Sequence, residues 1–338
     1  MNIPELAPLE ETGSLGVMHL KRFWSKTLAA RVAPAPASEW AEDNIVLSGL
    51  QAGTHETLRY LTQETPAFEE FEAWILTRNG GRLDPAQVAR INAGVSGTLD
   101  PGAPPLPSGA DAALSPDDLA LWEHDGYLVL HDAVRLEQCR AAAQAIYDFL
   151  SVDPANPETW YNNPNGHTIW VSLLRHPAFR ANRESARIQA AFAQLWGRSD
   201  LWASIDQGGF NPPERPDWRF PGPHLHWDVS LAQPVPFGVQ GILYLTDTTA
   251  DQGAFQCVPG FHKRLAKWLI ELPPGTNPRD PGLSETLPAV PIAGRAGDLV
   301  IWHHALPHGS SPNRSARPRV AQYIRMVPSR WDVNPVWL

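Results

Sequence analysis

The sequence predicts a mainly β domain with flanking helices, a sandwich or barrel of short strands, preceded by an N-terminal helical extension. Three observations carry this. From about residue 165 onward, short β-rich runs at 224–231, 236–247, 253–258, 297–303 and 319–327 are separated by Gly, Pro and Asp turns. The first hundred residues instead carry apolar side chains at helical spacing. Between the two textures lies the Pro- and Gly-rich stretch 99–114, which reads as a linker. At 338 residues the chain is long enough for one large domain plus such an extension.

The totals exclude several classes. With 36 acidic residues against 27 Lys and Arg, the net charge of −9 offers no basic field for nucleic acid. Two cysteines, Cys139 and Cys257, are too few for a disulfide framework and lack C-x-x-C spacing, so a reduced, cytoplasmic setting is expected. No window approaches eighteen apolar residues, and the first residues carry neither a basic n-region nor an apolar core, so neither a membrane span nor a signal peptide is expected. A small-molecule substrate is the expected partner. Oligomeric state is not legible.

Residues 1–16 read as a loosely held acidic arm. Residues 19–32 form an amphipathic helix with Leu20, Phe23, Trp24 and Leu28 on one stripe and a solvated basic face of Lys21, Arg22, Lys26 and Arg31. Further helices are expected over 54–62, 66–79 and 84–94, the last opened by Asp84 as cap and Pro85 at its first position. This unit, 1–98, shows no chemistry. Ser115-Pro116 opens another helix, Gly126 stops it, and 127–130 is a short buried strand. Leu136, Cys139, Ala143, Ile146 and Leu150 trace one face of a longer helix, which explains Cys139 by packing.

The chemistry centres on Pro221 to Leu231. From His224 onward polar and apolar residues alternate, so a strand here puts His226 and Asp228 side by side and sends Trp227 to the core. An imidazole and a carboxylate so placed are two adjacent ligands for a divalent metal. A third is needed, and about eighty residues later the run Gly297 to Gly309 offers His303, His304 and His308. His308 stands at the strand-to-loop junction, where a side chain can turn inward without competing for core volume. Two His and one carboxylate leave three positions of an octahedral ion open, the arrangement of non-haem Fe(II) oxygenases. A strand beginning at Arg319 supplies a guanidinium suited to pair with a carboxylate, although Arg325 shares its face and Arg317 lies just outside. Gln240 and Tyr244 share one strand face, and Tyr323 shares that of Arg319.

Together, His226-x-Asp228, Gly253-Ala-Phe-Gln-Cys-Val-Pro259-Gly260-Phe-His262, Gly297-Asp298, His308-Gly-Ser-Ser-Pro-Asn313 and Arg319 resemble the phytanoyl-CoA dioxygenase family of Fe(II)/2-oxoglutarate-dependent oxygenases. The resemblance covers roughly 115–327, with 115–338 as the oxygenase domain. It implies a double-stranded β-helix of the jelly-roll or cupin-like kind, with Fe(II) held by His226, Asp228 and His308. It also implies 2-oxoglutarate clamped by Arg319, with Gln240 and Tyr244 as further candidate contacts, and O2 as the oxidant. Phe261 stands where members often have Ser, a turn variant. Halogenating relatives lack the carboxylate found here at Asp228, so hydroxylation with release of succinate and CO2 is favoured. Two alternatives remain: a cupin-type dioxygenase without 2-oxoglutarate, since His224-x-His226 also occurs, and a catalytically silent binding protein. His224, His262, His303 and His304 read as structural or wall residues, and the loops 151–170, 205–222 and 264–290 as the seat of specificity, the last as a lid. Asn163 and Trp170 precede the barrel, where relatives often contact ligand.

Overall fold

Cap chemistry sets the start of the helices at Asp84-Pro85 and Ser115-Pro116. The computed structural model describes residues 4–30, 39–102, 106, 108–109, 112–334 and 336–338. Among the described residues the chain opens with α1 (Leu20–Ala29), α2 (Trp40–Gly49), α3 (Thr54–Glu64), α4 (Phe68–Arg78) and α5 (Pro85–Ser96). They are followed by α6 (Pro116–Asp125), β1 (Tyr127–Leu130), α7 (Leu136–Leu150), β2 (Trp170–Val171), α8 (Pro177–Arg183), α9 (Ala186–Trp196), β3 (Leu201–Ala203) and β4 (Gly208–Asn211). Next come β5 (Val239–Tyr244), β6 (Phe255–Cys257), α10 (Leu265–Glu271), α11 (Pro281–Ser284) and β7 (Val290–Pro291). The last are β8 (Leu299–His303), β9 (His308–Ser310), β10 (Arg319–Ile324) and β11 (Met326–Pro328). Asp84 accepts the Ala86 N–H at 2.9 Å ahead of α5. Ser115 and Asp118 form a reciprocal capping box on α6.

The chain divides into two compact units. One contains the described residues of Met1–Leu106, Arg198–Ile205 and Met326–Pro335; the other those of Pro107–Gly197, Asp206–Arg325 and Val336–Leu338. The first unit buries Ile45, Leu50, Leu61, Phe71, Ile75 and Ile91 completely. The two-stranded sheet β3–β11 belongs to it, and Trp202 of β3 enters this core. The Trp202 indole donates to Ser329 Oγ at 2.8 Å, and Arg330 donates to Val95 O at 2.8 Å. The single strand expected over 319–327 is therefore two. β10 pairs with β4 and β5, whereas β11 pairs with β3 in the other unit.

In the second unit a six-stranded antiparallel sheet runs β1-β8-β5-β10-β4-β2, and a three-stranded sheet runs β7-β6-β9. Register puts Gln240 opposite Trp302, Ile242 opposite Tyr323 and Val300, and Tyr244 opposite Ala321. These form one face, and all but Gln240 share an apolar cluster with Trp227, Phe255, Cys257 and Phe261. The opposite face packs on helices. Gly241 abuts Phe192 of α9, Gly208 abuts Phe179 of α8, and Gln322 is bonded to Asn182 and to Phe179 O at 2.9 Å each. Helices α8 and α9 lie where the sequence reading had only β texture.

Three expectations are corrected. The arm before residue 17 is anchored where described. Ala7 N–H donates to Ser25 Oγ at 3.0 Å, Ser14 and Leu15 bond to Glu72 at 2.8 and 2.9 Å, and Leu9 and Leu15 pack on the core. The basic face of α1 is paired rather than solvated. Lys26 is 6% exposed and bridges Glu39 and Asp43, and Arg22 binds Glu39. Both carboxylates come from the neighbourhood of α2, a helix the sequence reading had not drawn. The third correction concerns 224–231, where a single bridge at His226 replaces the expected strand. Residues 31–32 of the first predicted helix and 103–105, 107 and 110–111 of the linker lie outside the described residues. Among the described residues no helix is long and apolar enough to cross a membrane.

Candidate metal centre

Backbone pairing creates the centre. His226 and His308 form an isolated antiparallel pair that exchanges both hydrogen bonds, at 2.9 and 3.0 Å. Their rings come to 4.6 Å between centroids. Gly309 makes the approach possible: a Cβ there would lie 2.5 Å from His224 O and 2.9 Å from Pro223 O, both backbone atoms.

Asp228 reaches both imidazoles, its Oδ1 at 3.2 Å from His226 Nε2 and its Oδ2 at 3.3 Å from His308 Nε2. The three potential ligand atoms lie within 4.8 Å of one another. Each imidazole hydrogen-bonds a backbone carbonyl through Nδ1, His226 to His224 O at 2.8 Å and His308 to Leu306 O at 3.0 Å. A carbonyl only accepts, so Nδ1 donates in each ring and Nε2 is the nitrogen turned toward Asp228, the one that would ligate a metal after giving up the proton it shares with the carboxylate. Burial pushes the Asp228 carboxyl up, but hydrogen bonds and charge from His226 and His308 outweigh it and hold the group well below the usual carboxylate range. Burial pulls His226 down, and Asp228 more than reverses this, leaving it raised. Trp302 and Phe255 wall His308, with ring centroids at 5.0 and 6.2 Å.

Arg319 is completely buried. It donates through Nε to Gly253 O at 3.0 Å and through Nη2 to Ser310 Oγ at 2.8 Å, two residues along β9 from His308. Its Nη1 is buried without a partner. A Cβ on Gly209 would stand 2.7 Å from that atom. A buried, half-used guanidinium is costly unless an anion completes it, so a carboxylate is the group this donor set fits.

The remaining candidates divide. Gln240 donates to Asp228 Oδ2 at 3.0 Å, which puts it beside the metal ligands. Tyr244 donates to Ile292 O at 2.7 Å and accepts the Phe255 N–H at 3.0 Å. Its only proton is thereby committed, and none is left for an anion. Tyr323 packs on Trp170 with tilted rings, 4.8 Å between centroids, on the same face as Arg319. Asn163 holds a turn by donating to Thr168 O and Trp170 O. His303 accepts from Ala305 N–H at 2.9 Å, and His304 is buried against Gly238. His262 hydrogen-bonds the Glu123 backbone. Trp227 is 3% exposed and packs on Phe261 and Trp268, in the core as its parity predicted. Both cysteines are buried and free, and burial pushes the Cys139 thiol up to about 11. The sequence reading missed Ser310 and Gly209. For Ser310 the signal was present, because a residue two along a strand from His308 shares its face.

A second trio, His19, Glu39 and Asp43, also has ligand atoms within 4.8 Å. The Lys26 ammonium already occupies it, at 3.0 Å from Glu39 and 2.6 Å from Asp43.

Comparison with known proteins agrees with the motif reading. A model of the phytanoyl-CoA dioxygenase family matches residues 122–321. A putative phytanoyl-CoA dioxygenase of Dictyostelium discoideum is 25% identical over 266 residues, covering 64% of this chain and 76% of that protein. An ectoine dioxygenase of Bordetella bronchiseptica is 23% identical over 255 residues, covering 66% of this chain and 80% of that protein. Among solved structures, that of EctD from S. alaskensis in its apoform is 19% identical, covers 69% of this chain and 84% of its own, and has a TM-score of 0.48. With the family match extending over more than half of the sequence, this chain belongs to the phytanoyl-CoA dioxygenase family.

Proposed function

We propose that this chain is an Fe(II)- and 2-oxoglutarate-dependent dioxygenase that hydroxylates an unactivated C–H of a small-molecule or carrier-linked substrate, releasing succinate and CO2. The observation that carries the reading is a pair of features on one face. Three ligand atoms converge within 4.8 Å, and a buried arginine nearby keeps its Nη1 without a partner. His226, Asp228 and His308 would hold the iron, and the bound metal would supply O2 activation coupled to oxidative decarboxylation of 2-oxoglutarate. Arg319, supported by Ser310, would receive the distal carboxylate of 2-oxoglutarate. Gln240 would steady Asp228 through its 3.0 Å hydrogen bond, and Tyr244 would tie its strand to the Ile292 and Phe255 backbone. The protein's own contribution is position and charge balance.

The oxygenase domain would be 115–338, arranged as a double-stranded β-helix, with 1–98 as an appended helical unit. A carboxylate at 228 fills the position that halogenation would need for chloride, which favours oxygen transfer. The experiment is anaerobic reconstitution with Fe(II), followed by O2 and 2-oxoglutarate, with succinate as the readout. Succinate that depends on all three supports the reading. Oxidation of substrate without succinate would favour a cupin-type dioxygenase, and failure to bind Fe(II) a silent binding protein.

A further inference from the structure

The loop that carries two of the three ligands has almost no sheet to hold it. Beyond the His226–His308 pair, residues 224–231 lie in no strand. Asp228 nevertheless sits between two peptide carbonyls that share one partner. Arg279, on the 264–290 segment, donates through Nη1 to Trp227 O at 2.8 Å and through Nη2 to Val229 O at 2.5 Å. Its Nε donates to Leu338 O at 2.9 Å, and its guanidinium lies 4.7 Å from the Trp337 ring centroid. The 336–338 segment is itself tied to the loop. Ser230 Oγ donates to Val336 O at 2.5 Å, and Leu231 N–H donates to Leu338 O at 3.2 Å. On the other side, the Trp227 indole donates to Ala305 O at 3.1 Å.

We propose that Arg279 is a positioning residue for the metal centre. It clamps the peptide carbonyls on both sides of Asp228, so that the 264–290 and 336–338 segments together set the orientation of that carboxylate. The chemistry favours arginine: only a planar fork with several donors can serve two carbonyls and a third oxygen at once. A lysine keeps the charge but not the fork. The segment first read as a lid is thus fastened to the ligand loop by its own side chain. Loss of such support for a metal ligand typically costs 10–100-fold in metal affinity.

The inference rests on reading His226, Asp228 and His308 as metal ligands, and its test separates the two. Co(II) alone is titrated anaerobically into the full-length apo protein, wild type and the variants Arg279→Ala and Arg279→Lys, with the visible Co(II) absorption recorded and apo unfolding measured in parallel. The expected result is tight binding by wild type, an affinity about tenfold weaker in both variants, and an altered Co(II) band shape as the carboxylate shifts. Variants that bind Co(II) as tightly as wild type, with its spectrum, would overturn the inference whatever their melting temperatures. Failure of both variants to fold would also overturn it, by making Arg279 a residue of the fold rather than of the ligand loop. A wild-type protein that does not bind Co(II) would sink the metal reading itself.

Discussion

Replacing Arg319 with Ala removes a completely buried guanidinium whose Nη1 has no partner and which is proposed to receive the cosubstrate. Each hydrogen bond from a charged donor to a carboxylate contributes about 1.5–3 kcal/mol, and a forked contact makes two. Taking only the lower figure for each gives about 3 kcal/mol, or roughly a hundredfold rise in the 2-oxoglutarate needed for half-saturation at 1.4 kcal/mol per decade. The substitution also strips partners from Gly253 O and Ser310 Oγ, a stability cost of about 1–3 kcal/mol for each group left unsatisfied. The assay is succinate formation against 2-oxoglutarate concentration at saturating Fe(II), with circular dichroism confirming that the variant is folded. Arg319→Lys keeps a charge without the fork and should fall between wild type and Ala. A folded Arg319→Ala protein whose 2-oxoglutarate requirement stays within about twofold of wild type would refute the reasoning, since the predicted loss is roughly fiftyfold larger.

Three further predictions follow from the same geometry. Tyr244→Phe should lower unfolding free energy by about 2–4 kcal/mol, because Ile292 O and Phe255 N–H both lose a buried partner. It should leave the 2-oxoglutarate requirement unchanged; a large rise would return Tyr244 to the cosubstrate. Gly309→Ala should abolish metal binding in titrations with Co(II), because its Cβ would press on the Pro223 and His224 backbone and part the His226–His308 pair. Retained affinity would show that the pair is not what brings the ligands together. Finally, burial pulls His303 down from 6.5 to about 4, with charge from His262 adding to it, and pulls His304 well below 6.5. Between those values the unfolded chain binds protons that the folded one does not, so stability falls as pH drops from 6.5 toward about 4. Raised His226 acts in the opposite sense above 6.5, and depressed Asp228 adds its loss only below 3.8. Urea midpoints of the apo protein at pH 7 and pH 5 should therefore differ, and His303→Asn should reduce the difference; an unchanged slope would contradict it.

What the sequence revealed depended on whether a feature is local. Asp84-Pro85 and Ser115-Pro116 open helices because cap and proline act within one turn, and both are found there. Helix α2 went unseen because its apolar residues Ile45, Val46 and Leu47 are consecutive and trace no stripe. The alternation at 224–231 correctly put Trp227 in the core and His226 beside Asp228, yet it implied a strand that does not form. The carbonyls of Trp227 and Val229 bond to Arg279 rather than to a neighbouring strand. That partner lies about fifty residues away and carries no periodic signal. The same limit hid Gly209 beside Arg319 and Gly309 beside His224, since a close approach is visible only once both segments are in place. The convergence of His226, Asp228 and His308 follows the sequence pattern, whereas the choice of Arg319 over Arg317 and Arg325 came from the family resemblance, because spacing alone left the three open.

The most direct test is a crystal of the protein soaked anaerobically with Fe(II) and 2-oxoglutarate. The account predicts one ion bonded to His226 Nε2, His308 Nε2 and an Asp228 oxygen, with a 2-oxoglutarate carboxylate on Arg319 Nη1. An ion bound elsewhere, or a cosubstrate whose carboxylates leave Arg319 Nη1 without a partner, would contradict it.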